Sequence, residues 1–455
     1  MGMELIRVSP EGDGFTGDKG RAFVPWGCNY YDPFTGWAPH LWQQFDPVRV
    51  GEHFSQMRGI GVNVVRVFST LACVLESADK TSAAGLTKIG QMLEIAAAHG
   101  IRVILSGPGT WEGTPSWWHA ADPLECFVKP GLLSAQAAAW KGIAAALRGN
   151  PGLFSYELYN EPCVPWKPSP SLRESWAAWR TGRTPMPPDD LPTPTPPLFL
   201  DWSWDLQRFR DTCAVEYVRR MTEAIRAQDT GHLVTVGLHQ KSAPFDWYPP
   251  DPYAAFNPHK LAPLLDYISV HYYPHHIFHP NIYRDPFETE EGMVETLIHG
   301  RAVARYVHVP GKPVLMEECG WYGGGPVFFG DREQRSLTEE QQAEWCRRLV
   351  EATGGDACGW LFWPYRDTPS SLDPSRRSGL FDEAGRLKAW GREFARLTPR
   401  ITDRARARAA GTVAMPASLK ELSTDPRQIK AFRAAYLAAF KAGQVVDFPP
   451  VDGGE

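Results

Sequence analysis

The fold class this sequence predicts is α/β, a closed (β/α)8 TIM barrel, and three observations predict it. Strand-like and helix-like stretches alternate almost from end to end, eight of each, which implies parallel strands joined by crossover helices. Two of the strand-like runs stop on glutamates, at the strand ends where a barrel carries its chemistry. The 455 residues are enough for one large barrel with insertions, or for two or three smaller domains, and no internal repeat beyond the alternation is visible. An open doubly wound sheet is the runner-up and does not ordinarily call for eight units.

The first strand reads as residues 22–31, with Pro25 an irregularity inside it. A helix over 46–57 opens on Asp46 as N-cap with Pro47 at the first helical position. Gly59 and Gly61 end it, and a second strand runs over 62–68. Helix 86–99, stopped by Gly100, leads into strand 101–105. An alanine-rich helix over 132–147 closes on Gly149, Asn150 and Pro151 before a strand over 153–161. That fourth strand is apolar and aromatic, and it must stop at Pro162, which cannot donate to a ladder. A long helix over 204–228 precedes strand 232–236, and a short helix precedes strand 267–271. Helix 288–307 leads into strand 313–318, and helix 338–353 opens with a capping box of Thr338 and Gln341. Strand 359–363 and helix 386–397 complete the ring.

Two segments fall outside the alternation. Residues 163–201 follow Glu161 directly and carry ten prolines with Trp166, Trp176 and Trp179. A long loop there sits over the catalytic face and reads as a lid or subsite wall. The barrel with this insertion spans 1–398, and 399–455 form a carboxyl-terminal extension. Within it a helix over 426–442 carries Phe432, Tyr436 and Phe440 at i, i+4 and i+8, a stripe suited to packing on the barrel.

Composition narrows the function classes. With 43% hydrophobic residues, 22% charged residues and a net charge of −5, the chain has no basic stripe for nucleic acid. No apolar run approaches the ~18 residues of a membrane span. The start of the chain lacks a basic region followed by an apolar one, so no secretory signal is visible. The eight cysteines are scattered without a C-x-x-C pair, which favours reduced thiols and a cytoplasmic location. Eighteen tryptophans and fifteen tyrosines supply flat faces of the kind that stack on sugars.

The chemistry converges on acids. Glu161 ends the fourth strand, and Glu317 with Glu318 end the seventh. Glycoside hydrolysis needs two carboxyl groups, and opposite strands of a narrow barrel can bring them within about 5–5.5 Å, the spacing of a covalent mechanism. Glu317 and Glu318 are consecutive, so strand alternation lets only one face the pocket and sends the other toward the helix layer or a loop. His271, His275, His276 and His279 crowd one stretch, but no carboxylate or thiol stands with them at ligand spacing, so no metal is expected. Gly323, Gly324 and Gly325 lack the Lys-Ser/Thr of a phosphate loop, so nothing there points to a nucleotide.

Five motifs in strand order then carry a resemblance. Asn160-Glu161-Pro162, Glu318-Cys319-Gly320, Val64-Val65-Arg66-Val67, Ser269-Val270-His271-Tyr272-Tyr273 and Leu361-Phe362-Trp363 are similar to glycoside hydrolase family 5 over about 22–397. Gly27-Cys28-Asn29-Tyr30-Tyr31 and Thr110-Trp111-Glu112-Gly113 resemble its β-mannanase and β-mannosidase branch. The resemblance implies a retaining β-glycosidase without cofactor, with Glu161 as acid/base and Glu318 as nucleophile. It implies that Arg66 holds Glu318 ionised and lowers its pKa, and that Asn160 donates to the sugar 2-hydroxyl. Tyr273 would donate to the nucleophile, and His271 to the same region or to Glu161. Trp363 would floor the subsite of the cleaved bond, Trp111 would stack a neighbouring sugar, and Asn29 would join the substrate-binding set. Ser106-Gly107-Pro108-Gly109 stands where many members carry a histidine, a departure that fits the mannan-active branch better than the cellulases.

The expected function is therefore exo-action on β-mannosides or short β-linked oligosaccharides, a carbohydrate being the partner. An endo-β-mannanase or β-glucosidase on the same scaffold is the first alternative. A non-catalytic glycan-binding barrel is the alternative of another class.

Overall fold

The computed structural model describes residues 3–109, 112–120, 122–165, 169–184, 186–187, 189, 201–243, 254–274, 287–329, 332–401 and 426–444. Eight parallel strands close into a ring in chain order. They are β1 (Trp26–Tyr30), β2 (Val64–Thr70), β3 (Arg102–Gly109) and β4 (Leu153–Asn160), then β5 (Leu233–Leu238), β6 (Ile268–Tyr272), β7 (Val314–Cys319) and β8 (Trp360–Phe362). The strands are buried on both faces, as a parallel sheet wrapped by helices requires, which is why they read as nearly continuous apolar runs.

The connecting helices are α1 (Pro47–Gly59), α2 (Ala83–Ala98), α3 (Pro130–Leu147), α4 (Asp201–Arg226), α5 (Pro258–Leu261), α6 (Glu290–Tyr306), α7 (Glu339–Thr353) and α8 (Ala389–Ile401). Local chemistry sets their starts. The Asp46 carboxylate accepts from the backbone N–H of Val48 and Arg49, and Ser82 and Thr289 cap α2 and α6 in the same way. The capping box of Thr338 and Gln341 is formed.

The first strand is not one element. The chain breaks at Pro25, whose nitrogen cannot donate to a ladder. Ala22–Phe23 instead joins Ile6–Val8 and Phe15–Gly17 in a small antiparallel sheet. This sheet floors the barrel: Ile6 and Phe15 pack with Val64, Ile104, Phe154, Leu233, Tyr267, Leu315 and Leu361, all at the entering ends of the strands. Phe15 sits edge-on to Phe154 and Tyr267, at 5.2 and 5.3 Å between ring centres.

The pairing is irregular at the opposite, functional end, between β2 and β3 near Thr70 and at two β-bulges that shape the site. Between β4 and β5 the pairing steps from Glu157 with Thr235 to Asn160 with Gly237, three residues against two. Along β7 it steps from Met316 with Val270 to Glu318 with His271, which leaves Glu317 as the extra residue. A bulge resets the inward–outward alternation. It overturns the expectation that only one of Glu317 and Glu318 faces inward, because both point into the barrel.

In the insertion after β4, a helix over Pro170–Arg180 packs Trp176 and Trp179 in a stack 5.3 Å apart. Both rings also meet Phe209 of α4, and the Arg183 guanidinium lies over Trp179. Trp166 lies outside the described residues. The tail helix Pro426–Lys441 buries Tyr436 and pairs Lys441 with Glu291 of α6 at 3.0 Å.

Candidate active site

Arg66 organises the mouth of the barrel. It sits mid-β2 with no exposure, between Val65 and Val67, which face the core around the barrel. A buried guanidinium is tolerable only if its donors are matched, and here all five are. Nε donates to Glu157 Oε2 at 2.5 Å and Nη2 to Glu157 Oε1 at 2.7 Å, a two-pronged pair. Nη1 donates to Glu318 Oε2 at 2.6 Å and to Asn29 Oδ1 at 2.8 Å. The last Nη2 hydrogen reaches Asn160 Oδ1 at 2.5 Å.

Glu318, at the end of β7, receives Arg66 on one oxygen and the Tyr273 hydroxyl on the other, at 2.9 Å. Burial pushes its carboxyl pKa up, while His271, Arg66 and the Tyr273 hydroxyl pull it down. Burial prevails and the net position lies above the ordinary value, which corrects the expectation that Arg66 leaves it lowered. The Tyr273 hydroxyl itself is pushed well above its usual range by burial and by the Glu318 charge, so it stays a donor.

Glu161 is the first residue beyond β4, not its last. Its backbone adopts φ +48°, a left-handed conformation that costs a side-chain-bearing residue about 1–3 kcal/mol. The Glu161 N–H donates to the Gly237 carbonyl at 2.9 Å, which holds the turn. The conformation swings a half-buried carboxylate back over the pocket, where Oε1 meets His271 Nδ1 at 3.1 Å. His271 Nδ1 also lies 3.7 Å from Glu318 Oε2. Burial lowers the His271 pKa to about 4, so the ring is neutral at pH 7.

One oxygen each of Glu161 and Glu318 and one His271 nitrogen all lie within 4.8 Å of one another. An approach of one oxygen of each carboxyl group to within 4.8 Å fits the ~5–5.5 Å spacing of retaining glycosidases. In space, then, His271 does have carboxylate company, from β4 and β7, which strand spacing alone hides. Among the described residues, two sets of side chains lie as close together as metal ligands do, Glu161–His271–Glu318 and Glu157–His271–Glu317, but neither is read as a metal site, because the oxygens of Glu157, Glu318 and Glu317 already serve Arg66, Tyr273, Tyr267 and Ser269.

The remaining expected residues divide. Asn160 is anchored through its oxygen, which turns its amide nitrogen away from Arg66 and frees it as a donor. Trp363 is half-buried in the mouth, its Nε1 donating to Ser375 Oγ at 2.8 Å. Its ring abuts Tyr31, Trp37 and Phe68 at 5.8, 5.5 and 5.8 Å. Asn29 is fully buried beneath Arg66, and its amide nitrogen serves the backbone carbonyls of Glu317 and Phe362 at 3.1 and 3.4 Å. It touches the machinery from below. Trp111, His275, His276 and His279 lie outside the described residues.

Sequence reasoning gave no role to Glu157, although an acid in the middle of a buried apolar strand signals one. It also missed Trp37 and Phe68, which carry no motif and reach the pocket only through the loop after β1 and the end of β2.

A closed parallel barrel with two opposed carboxyl groups at its mouth has what glycoside hydrolysis needs. Residues 32–367 match the cellulase family, glycosyl hydrolase family 5. The chain belongs to that family and is a glycoside hydrolase of the retaining type. No curated protein matches the sequence significantly. Among solved structures, it is similar to a family 5 subfamily 18 enzyme of Streptomyces cattleya in complex with Manβ1-4GlcNAc. That match has 19% identity, 94% of each chain covered and a TM-score of 0.67. It is also similar to an exo-β-1,4-mannosidase of Opitutaceae bacterium strain TAV5, with 19% identity, 96% of this chain and 71% of that one covered, and a TM-score of 0.67. A β-galactosidase of Halorubrum lacusprofundi matches with 16% identity, 94% and 67% coverage and a TM-score of 0.66.

Proposed function

We propose that this enzyme removes β-linked mannosyl residues from the non-reducing ends of β-mannosides or short oligosaccharides, by double displacement. The observation that carries the proposal is the opposed pair, Glu161 and Glu318, with oxygens within 4.8 Å. Glu161 protonates the glycosidic oxygen as a Glu318 oxygen attacks the anomeric carbon and the C–O bond to the leaving group breaks. The glycosyl–Glu318 ester then yields to water, whose proton passes to Glu161. Arg66 and Tyr273 orient Glu318 for in-line attack and take up its charge when it departs. The free amide of Asn160 is placed to donate to the 2-hydroxyl, a contact that strengthens as the oxocarbenium character grows.

The mannoside reading draws on the relatives: one is solved with Manβ1-4GlcNAc and another is an exo-β-1,4-mannosidase. The insertion that follows Glu161 supports exo-action, since a segment there can close one end of a cleft. All eight cysteines are free thiols, which supports a cytoplasmic location working on imported oligosaccharides. A panel of nitrophenyl β-mannoside, glucoside, galactoside and fucoside tests the sugar. The mannoside is expected to give the highest kcat/KM, and mannose is expected as the first product from manno-oligosaccharides. Preference for another glycoside, or internal cleavage of the oligosaccharide, overturns it.

A further inference from the structure

We infer that Glu317 is a positioning residue that holds its own proton beneath Glu318, so that the guanidinium of Arg66 is left to the nucleophile and to Glu157. The geometry is a count of donors. Arg66 has five N–H groups, and they go to Glu157 twice and to Glu318, Asn29 and Asn160 once each, with Ser106 Oγ sharing an Nη2 hydrogen at 3.4 Å. None is left for Glu317, whose Oε2 stands 3.9 Å from Arg66 Nε. The Glu317 oxygens meet only hydroxyls: Tyr267 at 3.2 Å on Oε1, and Ser269 on Oε2. The Tyr267 hydroxyl is shared with Ser155 Oγ at 2.9 Å.

The groups facing Glu317 come from three other strands and from β7. They are Arg66 from β2, Glu157 from β4, Ser269 and His271 from β6, with Tyr267 just before it, and Glu318 from β7 itself. From β1, Asn29 reaches only the Glu317 carbonyl. One ligand atom each of Glu157, His271 and Glu317 lies within 4.8 Å of the others, so an ionised Glu317 would stand beside the Glu157 charge without a cation of its own. Fully buried, it is better off neutral. Burial first and the Glu157 charge second push the Glu317 carboxyl well above the usual carboxylate range, against the pull of Arg66 and of the Ser269 and Tyr267 hydroxyls. A serine or tyrosine hydroxyl can turn to accept or to donate, so a protonated Glu317 keeps both contacts.

The arrangement explains how two inward-facing acids coexist on consecutive residues of β7. Only one of them can be a nucleophile at neutral pH, and the hydroxyl cage around Glu317 decides which. The role assigned to Glu318 rests on the glycosidase reading above, whereas the proton on Glu317 does not.

Three measurements on the whole enzyme and the variant Glu317→Gln test it. At pH 7 the infrared spectrum is expected to contain the C=O band of a buried carboxylic acid that is absent from the variant. The melting temperature of the variant is expected to gain on that of the native enzyme as pH rises from about 5 to 8, because an unfolded glutamate releases its proton near 4.3 and a folded, protonated one does not. The acid limb of kcat/KM on a nitrophenyl β-glycoside is expected at the same pH in both. An unchanged spectrum, a pH-independent melting difference, or an acid limb moved to lower pH overturns the inference, the last because it means a negative charge beside Glu318 was removed. Should Glu317→Gln fail to fold, Ser269→Ala replaces it: the carboxylic band is expected to shift in frequency, and a band that does not move overturns the inference. Spectrum and melting need no turnover, so failure of the glycosidase reading stays distinguishable.

Discussion

At the residue scale the site is one cation serving two anions. Arg66 spends three of its five donors on carboxylates and two on asparagines. Glu318 is thereby anchored on one side by Arg66 and on the other by Tyr273. Glu318→Ala is therefore expected to abolish turnover, and added azide to restore it with formation of the opposite anomer, since the cavity admits a small nucleophile from the face Glu318 vacates. Glu161→Ala is expected to lower kcat by about 10²–10⁴-fold on poor leaving groups and far less on nitrophenyl glycosides, which need little protonation. Tyr273→Phe separates geometry from charge. The hydroxyl stabilises ionised Glu318, so its loss raises a carboxyl pKa that burial has already raised. Protonated Glu318 cannot attack, and the acid limb of kcat/KM is expected to move to higher pH; a limb that stays in place would show that the hydroxyl carries no such weight.

At the element scale the bulges decide the chemistry. Simple alternation along β4 from Glu157 would send Asn160 outward, and along β7 it would send one of two neighbouring glutamates out. The bulges bring Glu157 and Asn160, and likewise Glu317 and Glu318, to one interior. This marks the boundary of what was legible in the chain. The eight strands, the caps at Asp46 and Thr338, and the pairing of Glu161 with Glu318 could be read, because they rest on local periodicity, capping chemistry and strand ends. The bulges, the antiparallel sheet that takes up the chain before Pro25 and the buried Glu157–Arg66 pair could not, because each depends on what a neighbouring strand does. The insertion makes the same point. Its tryptophans suggested a wall for sugars, but Trp176 is only 1% exposed and stacks on Trp179 and Phe209. Trp176→Ala is expected to destabilise the fold by about 3–5 kcal/mol, as a lost core indole does, with KM for nitrophenyl glycosides unchanged. Chemical denaturation alongside initial rates measures both, and a tenfold rise in KM at unchanged stability would return that ring to the cleft.

Across the whole molecule, stability and chemistry sit at opposite ends of the same strands. The entering ends are sealed by the small antiparallel sheet, with Phe15 at the centre of an apolar floor. The leaving ends bear several bulges, together with a left-handed glutamate and a buried charge cluster that both cost folding energy. A barrel carrying such a mouth needs a floor that compensates, and the division can be tested by cutting at the floor alone. Phe15→Ala removes a ring of 2% exposure that meets Tyr267, the partner of Glu317, but no catalytic residue, at an expected cost of about 3–5 kcal/mol. The melting temperature should fall, while kcat and KM measured well below it should match the native enzyme. The reason is that Arg66, Glu157 and Glu318 are held by one another and by β2, β4 and β7 above the floor cluster. If the variant instead lost kcat in the still-folded state, the floor would be transmitting its packing to the mouth along the strands, and the two ends would have to be treated as one mechanical unit.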